Sequence, residues 1–173
     1  MYERPQADEY PEYYRQYAEV VPDGDVLEFL EHQQEAMRQL LGTLNEDQAD
    51  YKYAAGKWTL KEVLGHIMDT ERIFCVRALA FARQDPADLP GFEQDDYVTN
   101  GYFPSRTLRD LLEEASTIRA ATLSMFHGFD DRSFKRQGRA NNAIFSVRSV
   151  PWIIAGHARH HLSVIQERYL PQS

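Results

Sequence analysis

Four stretches of the chain repeat apolar residues at helical spacing, each bounded by residues that start or stop helices. The first opens at Asp25, an N-cap following Pro22 and Gly24, and carries Val26, Leu27, Leu30, Met37, Leu40, Leu41 and Leu44. Gln33 and Gln34 interrupt this stripe, either as polar positions at its edge or as glutamines lining a pocket. The second starts at Thr59-Leu60-Lys61-Glu62, which reads as a capping box, with Trp58 and Val63 placed as a hydrophobic staple. It runs to about Gln84, before Pro86, on a face of Leu60, Val63, Leu64, Ile67, Phe74, Ala78 and Phe81. The third begins near Ser105 or Thr107, with Asp110 completing a second capping box, and ends near Gly128. The fourth takes Ser149 as N-cap and Pro151 in its first turn, and runs to about Leu170 before Pro171.

Between these stretches lie two long connections. Residues 85–104 hold Pro86, Pro90, Gly91, Gly101 and Pro104 together with Phe92, Tyr97, Tyr102 and Phe103. An irregular connection of that length is uncommon unless it has a job, such as covering a pocket or a subunit interface. Residues 130–148 are irregular, with Gly138 and Asn141-Asn142 as turn signals and Ala143–Val147 as a short extended segment. Residues 1–21 lack clear periodicity, but Tyr10, Tyr13, Tyr14 and Tyr17 suit an arm docked on the body. The pattern predicts an all-α four-helix bundle, one domain over 1–173 with an N-terminal arm over 1–21.

Composition narrows the partners. Of 173 residues 43% are hydrophobic, enough for a sizeable core. No apolar run reaches the roughly 18 residues of a membrane span, and the first residues do not form a signal peptide. The net charge of −8 argues against nucleic acid, whose phosphates call for a basic surface. A single cysteine, Cys75, precludes an internal disulfide and fits a cytoplasmic protein.

The chemistry concentrates in histidines. On the fourth helix, His157 and His161 fall four residues apart in the middle of a stripe of Ile153, Ile154, Val164 and Ile165. Two imidazoles aimed at a core need partners, and a shared divalent ion satisfies both. His66, at the margin of the second helix's apolar face, completes a three-ligand set; ordinary core histidines are the competing reading. Three neutral histidines leave a coordination position for water or substrate, and an all-nitrogen set suits Zn, Ni, Fe or Co. Position 158 is Ala, so no glutamate general base stands between the ligands as in H-E-x-x-H. His160 projects about 60° off the His157 line, to a supporting or surface position. Glu71 projects among Leu60, Leu64, Ile67 and Ala78, where a carboxylate needs a partner. It either orients a ligand imidazole or pairs with Arg148, Arg159 or Arg77. Cys75 lies roughly opposite His66, away from the site.

Two blocks, Lys57-Trp58-Thr59-Leu60-Lys61-Glu62-Val63-Leu64-Gly65-His66-Ile67-Met68-Asp69-Thr70-Glu71-Arg72 and Gly156-His157-Ala158-Arg159-His160-His161, resemble the DinB-like superfamily, in particular its YfiT-like branch. The resemblance implies an up-down-down-up four-helix bundle, often a homodimer. It also implies a Zn or Ni ion on residues matching His66, His157 and His161. The activity it implies is that of a metal-dependent hydrolase, or of a transferase that joins a low-molecular-weight thiol to a small-molecule substrate. The alternative is a non-catalytic, stress-associated metal-binding or dimeric interaction protein.

Overall fold

The computed structural model describes residues 3–170. Four long helices, α2 (Val26–Leu41), α4 (Leu60–Ala82), α6 (Leu108–His127) and α8 (Ser149–Arg168), form the bundle. Four one- to two-turn helices accompany them: α1 (Arg15–Ala18), α3 (Glu46–Ala49), α5 (Gln94–Asn100) and α7 (Asp131–Phe134). A small sheet adds β1 (Asp88–Leu89), β2 (Gln137–Ala140) and β3 (Ala143–Ser146). No described helix is long and apolar enough to cross a membrane.

The long helices start where their caps dictate. The Asp25 carboxylate accepts from the amides of Leu27 and Glu28, and Thr59 and Glu62 form a reciprocal capping box. Thr107 accepts from the amide of Asp110, but Asp110 does not reach back, because its carboxylate binds Arg106 at 2.8 Å. Ser149 is the first residue of α8 rather than its cap: its amide donates to the Ser146 hydroxyl at 3.1 Å. The expected stop at Pro171 lies outside the described residues.

Each of α2 and α4 packs on both α6 and α8, so α2 and α4 occupy opposite corners. Two apolar clusters lie end to end inside. One holds Leu30, Phe74, Phe126 and Ile153; the other holds Met37, Leu60, Leu111 and Ile165. Followed along the sequence, α2 and α8 run from the first cluster to the second, whereas α4 and α6 run the opposite way. The topology is therefore up-down-down-up. Parallel neighbours such as α4 and α6 cannot be joined by a tight turn, since the chain must travel back along roughly 30 Å of helix. That return is the work of the connection after α4, which is more ordered than its sequence predicts: it holds β1, α5 and a 3-10 turn at Phe103–Ser105.

The second connection folds as α7 followed by the β2–β3 hairpin. Its turn residues Asn141 and Asn142 both take positive φ, 52° and 61°, the backbone of a type I′ hairpin turn. Gly138 is a strand residue of β2, not a turn. The arm is pinned to the body. Glu9 accepts from the amide of Ser146 at 2.8 Å and from Arg148 at 2.6 Å. Arg4 donates to the carbonyls of Ala18 and Val21 and lies 4.3 Å from the Trp152 ring centroid.

Between the two apolar clusters runs a polar layer. Gln33, Glu71, Arg119, Thr122 and His157 are all buried in it. Buried polar groups are costly unless they bond one another, and these do so across all four helices. Glu71 receives Arg119 at 2.9 and 2.8 Å and the Thr122 hydroxyl at 2.7 Å. Arg119 also donates to the carbonyl of Leu30, and Gln33 donates to the carbonyl of Ala155 at 2.8 Å.

Candidate metal centre

Helix α4 delivers His66 and helix α8 delivers His157 and His161 to one point. The Nε2 of His157 stands 3.0 Å from that of His66 and 3.1 Å from that of His161, and the three nitrogens lie within 4.8 Å of one another. In tetrahedral zinc sites, bonds of about 2.0–2.1 Å place neighbouring nitrogens about 3.3 Å apart, near the spacing of the two pairs that share His157. Each neutral imidazole has one N–H and one lone pair. Three Nε2 lone pairs turned to a common centre repel one another unless a cation or a shared proton lies between them.

Burial decides the protonation state. His66 is 4% exposed rather than marginal, and His157 is 8% exposed. Desolvation pulls His66 down to about 4, against an opposing pull from Asp95. Desolvation, with the neighbouring imidazoles adding to it, lowers His161 to about 3 and His157 well below its ordinary value. All three are neutral at pH 7, the form that binds metal.

The residue before two of these histidines is glycine, and in both cases a covering segment uses the space. A Cβ at Gly65 would stand 2.4 Å from the Phe103 ring, which brings the α4–α6 connection down onto the helix beside His66. A Cβ at Gly156 would stand 1.8 Å from the Tyr17 carbonyl, so the arm lies directly on α8 beside His157. The Tyr17 ring then meets His157 edge-on with centroids 5.5 Å apart, and Trp58 approaches His66 at 5.0 Å.

Two cavities open on the triad. One of about 250 Å³ meets His66 and His157; one of about 400 Å³ meets His161 and the exposed His160. Gln94, at the start of α5, lines both. The first is walled by Tyr13, Tyr14, Tyr17, Phe74 and Phe92, and the second by Tyr53, Trp58 and Tyr169 with Lys57 and Asp95. Thr70, one turn after His66, lines the first cavity, and its buried hydroxyl has no hydrogen-bond partner among the described residues.

Glu71 corrects the sequence expectation. Both of its oxygens are taken by Arg119 and Thr122, so it does not orient a ligand imidazole, and its partner is none of Arg148, Arg159 or Arg77. Arg148 serves the arm instead, and Arg77 donates to the carbonyl of Pro90. Cys75 stays apart from the triad, bonded to Thr122 at 3.2 Å, and burial pushes its thiol up to about 11.

The model of the DinB superfamily matches residues 30–165. The chain belongs to the DinB superfamily. The DinB match leaves the arm, with Tyr13, Tyr14 and Tyr17, outside its limits. No curated protein sequence matches the chain at a significant level. Among solved structures, YfiT from Bacillus subtilis, described as "a probable metal-dependent hydrolase with an unusual four-helix bundle topology", superposes with a TM-score of 0.72 at 15% identity. The match covers 88% of this chain and 95% of YfiT. The mycothiol-dependent maleylpyruvate isomerase superposes with a TM-score of 0.67 at 9% identity, over 84% of this chain and 61% of its own. At these identities the likeness is one of fold.

Proposed function

We propose that this DinB protein is a metal-dependent enzyme acting on a small molecule, with a divalent ion, zinc or nickel, held by His66, His157 and His161. The observation that carries the reading is the convergence of three Nε2 atoms, those of buried His66 and His157 and half-buried His161, at contact distances of 3.0 and 3.1 Å. Bound there, the ion supplies Lewis acidity that brings the pKa of a coordinated water or thiol toward neutrality. The protein's own groups do the rest. Tyr17 and Trp58 shield the imidazoles from bulk water, Gly65 and Gly156 admit the covering segments, and Gln94 stands where the two cavities approach each other.

Two separate approaches to one centre suit a reaction with two partners, a low-molecular-weight thiol and an electrophilic acceptor, better than hydrolysis of a single one. The larger cavity beside His161 accommodates the thiol, and the smaller one beside His66 and His157 the acceptor. The relation in fold to a mycothiol-dependent isomerase and to a metal-dependent hydrolase keeps both chemistries within reach of this scaffold.

Elemental analysis of untagged protein is expected to find about one equivalent of zinc or nickel per chain, lost in His157→Ala while helicity is kept. Metal-free wild type after zinc reconstitution, or equal content in the variant, overturns the site. Chelator-sensitive transfer of a thiol to epoxide or maleate-like acceptors is the expected activity. Chelator-sensitive ester or amide hydrolysis without a thiol would select the hydrolase instead.

A further inference from the structure

Helix α4 buries a cation that no carboxylate answers. Arg77 is 3% exposed, and its contacts among the described residues are all with neutral groups. It donates to the carbonyl of Pro90 at 3.0 Å, and its guanidinium lies 5.0 and 6.0 Å from the Phe74 and Phe145 ring centroids, with the Tyr14 hydroxyl beside it. Its buried Nε has no hydrogen-bond partner among the described residues. Arg119, buried to the same degree, is satisfied in full view: it binds both oxygens of Glu71 and the carbonyl of Leu30. Aromatic rings compensate the face of a guanidinium, but its N–H donors lie in its plane. A buried charge left without a counter-charge is costly.

Arg77 lines a cavity of about 250 Å³ that none of the triad histidines reaches. The walls are apolar, among them Ile73, Val76, Leu89 and Tyr97, and Phe92 is shared with the cavity at His66 and His157. The charged lining residues are Arg72 and Arg77, with no aspartate or glutamate among those described. Arg72 is already paired with Asp69 and Glu114, which leaves Arg77 as the lining cation without a counter-charge. Val76 and Tyr97 are exposed, so the cavity is reached from solvent.

We propose that this cavity binds a small carboxylate with an apolar body, its anionic group paired with Arg77 and its body against Ile73, Leu89 and Phe92. Charge complementarity selects the occupant. A guanidinium fork matches a carboxylate, and the pairing strengthens where water is excluded. A cation of the same shape would meet two arginines and no acid. The cavity lies just below the range usual for drug-sized ligands, so the body is of single-ring size. The site stands apart from the metal centre and does not depend on the reaction proposed there.

The test compares phenylacetate with phenylacetamide, a neutral molecule of the same shape. Binding to the full-length protein, both zinc-loaded and chelator-treated, is followed by ligand-observed NMR and equilibrium dialysis. Phenylacetate is expected to bind at least about tenfold more tightly than the amide in both states, the scale of one charge-assisted hydrogen bond. Arg77→Met should abolish this preference. Because that variant also releases the Pro90 carbonyl, Val76→Glu gives a second reading. At its exposed position it should keep helicity unchanged and weaken phenylacetate several-fold while leaving the amide unaffected. Absence of phenylacetate binding, equal binding of acid and amide, or indifference to both substitutions overturns the proposal. Binding that appears only with zinc places the acid on the triad and overturns it as well. Self-association that Val76→Glu abolishes, without binding of phenylacetate, would assign the cavity to an acidic segment of a second copy instead. Failure of the metal centre would show in the elemental analysis alone.

Discussion

Glu71 and Arg119 meet at 2.8–2.9 Å inside the bundle, with 6% and 3% of their side chains exposed. Removing one member of such a pair strands a charge in a medium that solvates it poorly. Glu71→Leu or Arg119→Met is therefore expected to cost about 3–5 kcal/mol. The double variant Glu71→Leu/Arg119→Met removes both charges and should recover most of that loss. Urea denaturation of the three variants checks this, and a double variant as unstable as the sum of the singles would mean no coupling between the two charges and overturn the reading. Glu71 was visible in the sequence as a carboxylate on an apolar face, but its partner was not. Arg119 follows Ala115 and precedes Thr122 on the buried side of α6, yet a charged residue between apolar ones reads as solvent-facing unless a counter-charge is already placed opposite. The histidines were legible for a different reason. His157 and His161 sit four apart on one helix, so their adjacency is local geometry, and only His66 needed the fold to bring it in.

At the scale of elements, the four bundle helices were readable because each carries several turns of periodic apolar residues and a start signal. The short helices α1, α3, α5 and α7 span at most seven residues, too few to establish a period, and their stability comes from docking rather than propensity. The arm shows this dependence most directly. It lies on α8 where Gly156 leaves no Cβ, and the Tyr17 carbonyl fills that space. Gly156→Ala should therefore displace the arm while leaving the bundle folded, since α8 itself gains a better helix former. The expected outcome is faster proteolysis within residues 3–21 and loss of the acceptor cavity's tyrosine wall, with metal content retained. Limited proteolysis alongside elemental analysis measures both. An arm as protected as in the wild type would mean that the backbone accommodates a methyl group there.

For the molecule as a whole, the placement of the triad sets how stability responds to pH and metal. Two apolar clusters flank the polar layer, and each has its own set of buried side chains, so the bundle is expected to fold without an ion. The metal-free protein nevertheless holds three imidazoles in the neutral form. An imidazole in an unfolded chain titrates near 6.5, whereas in the folded chain His66 titrates near 4 and His161 near 3. As pH falls below about 6.5 the unfolded chain therefore binds more protons than the folded one, and stability must drop. The stabilisation is fully present above 6.5 and is lost progressively as pH falls through the folded-state values. Chelator-treated protein should accordingly show a Tm that declines between pH 7.5 and 5, and the decline should be shallower in His157→Leu, which removes an imidazole that burial and its histidine neighbours hold well below its ordinary pKa. Zinc at neutral pH should raise Tm, by an amount equivalent to roughly 4 kcal/mol at a thousandfold excess over Kd. That gain should shrink toward pH 5 as protons compete for the same nitrogens. Thermal scans at several pH values, with chelator and with zinc, separate these effects. A Tm independent of pH between 7.5 and 5 in the chelated wild type would mean that the imidazoles reach water more freely than their burial implies, and a zinc gain undiminished at pH 5 would place the ion on carboxylates instead of on the triad.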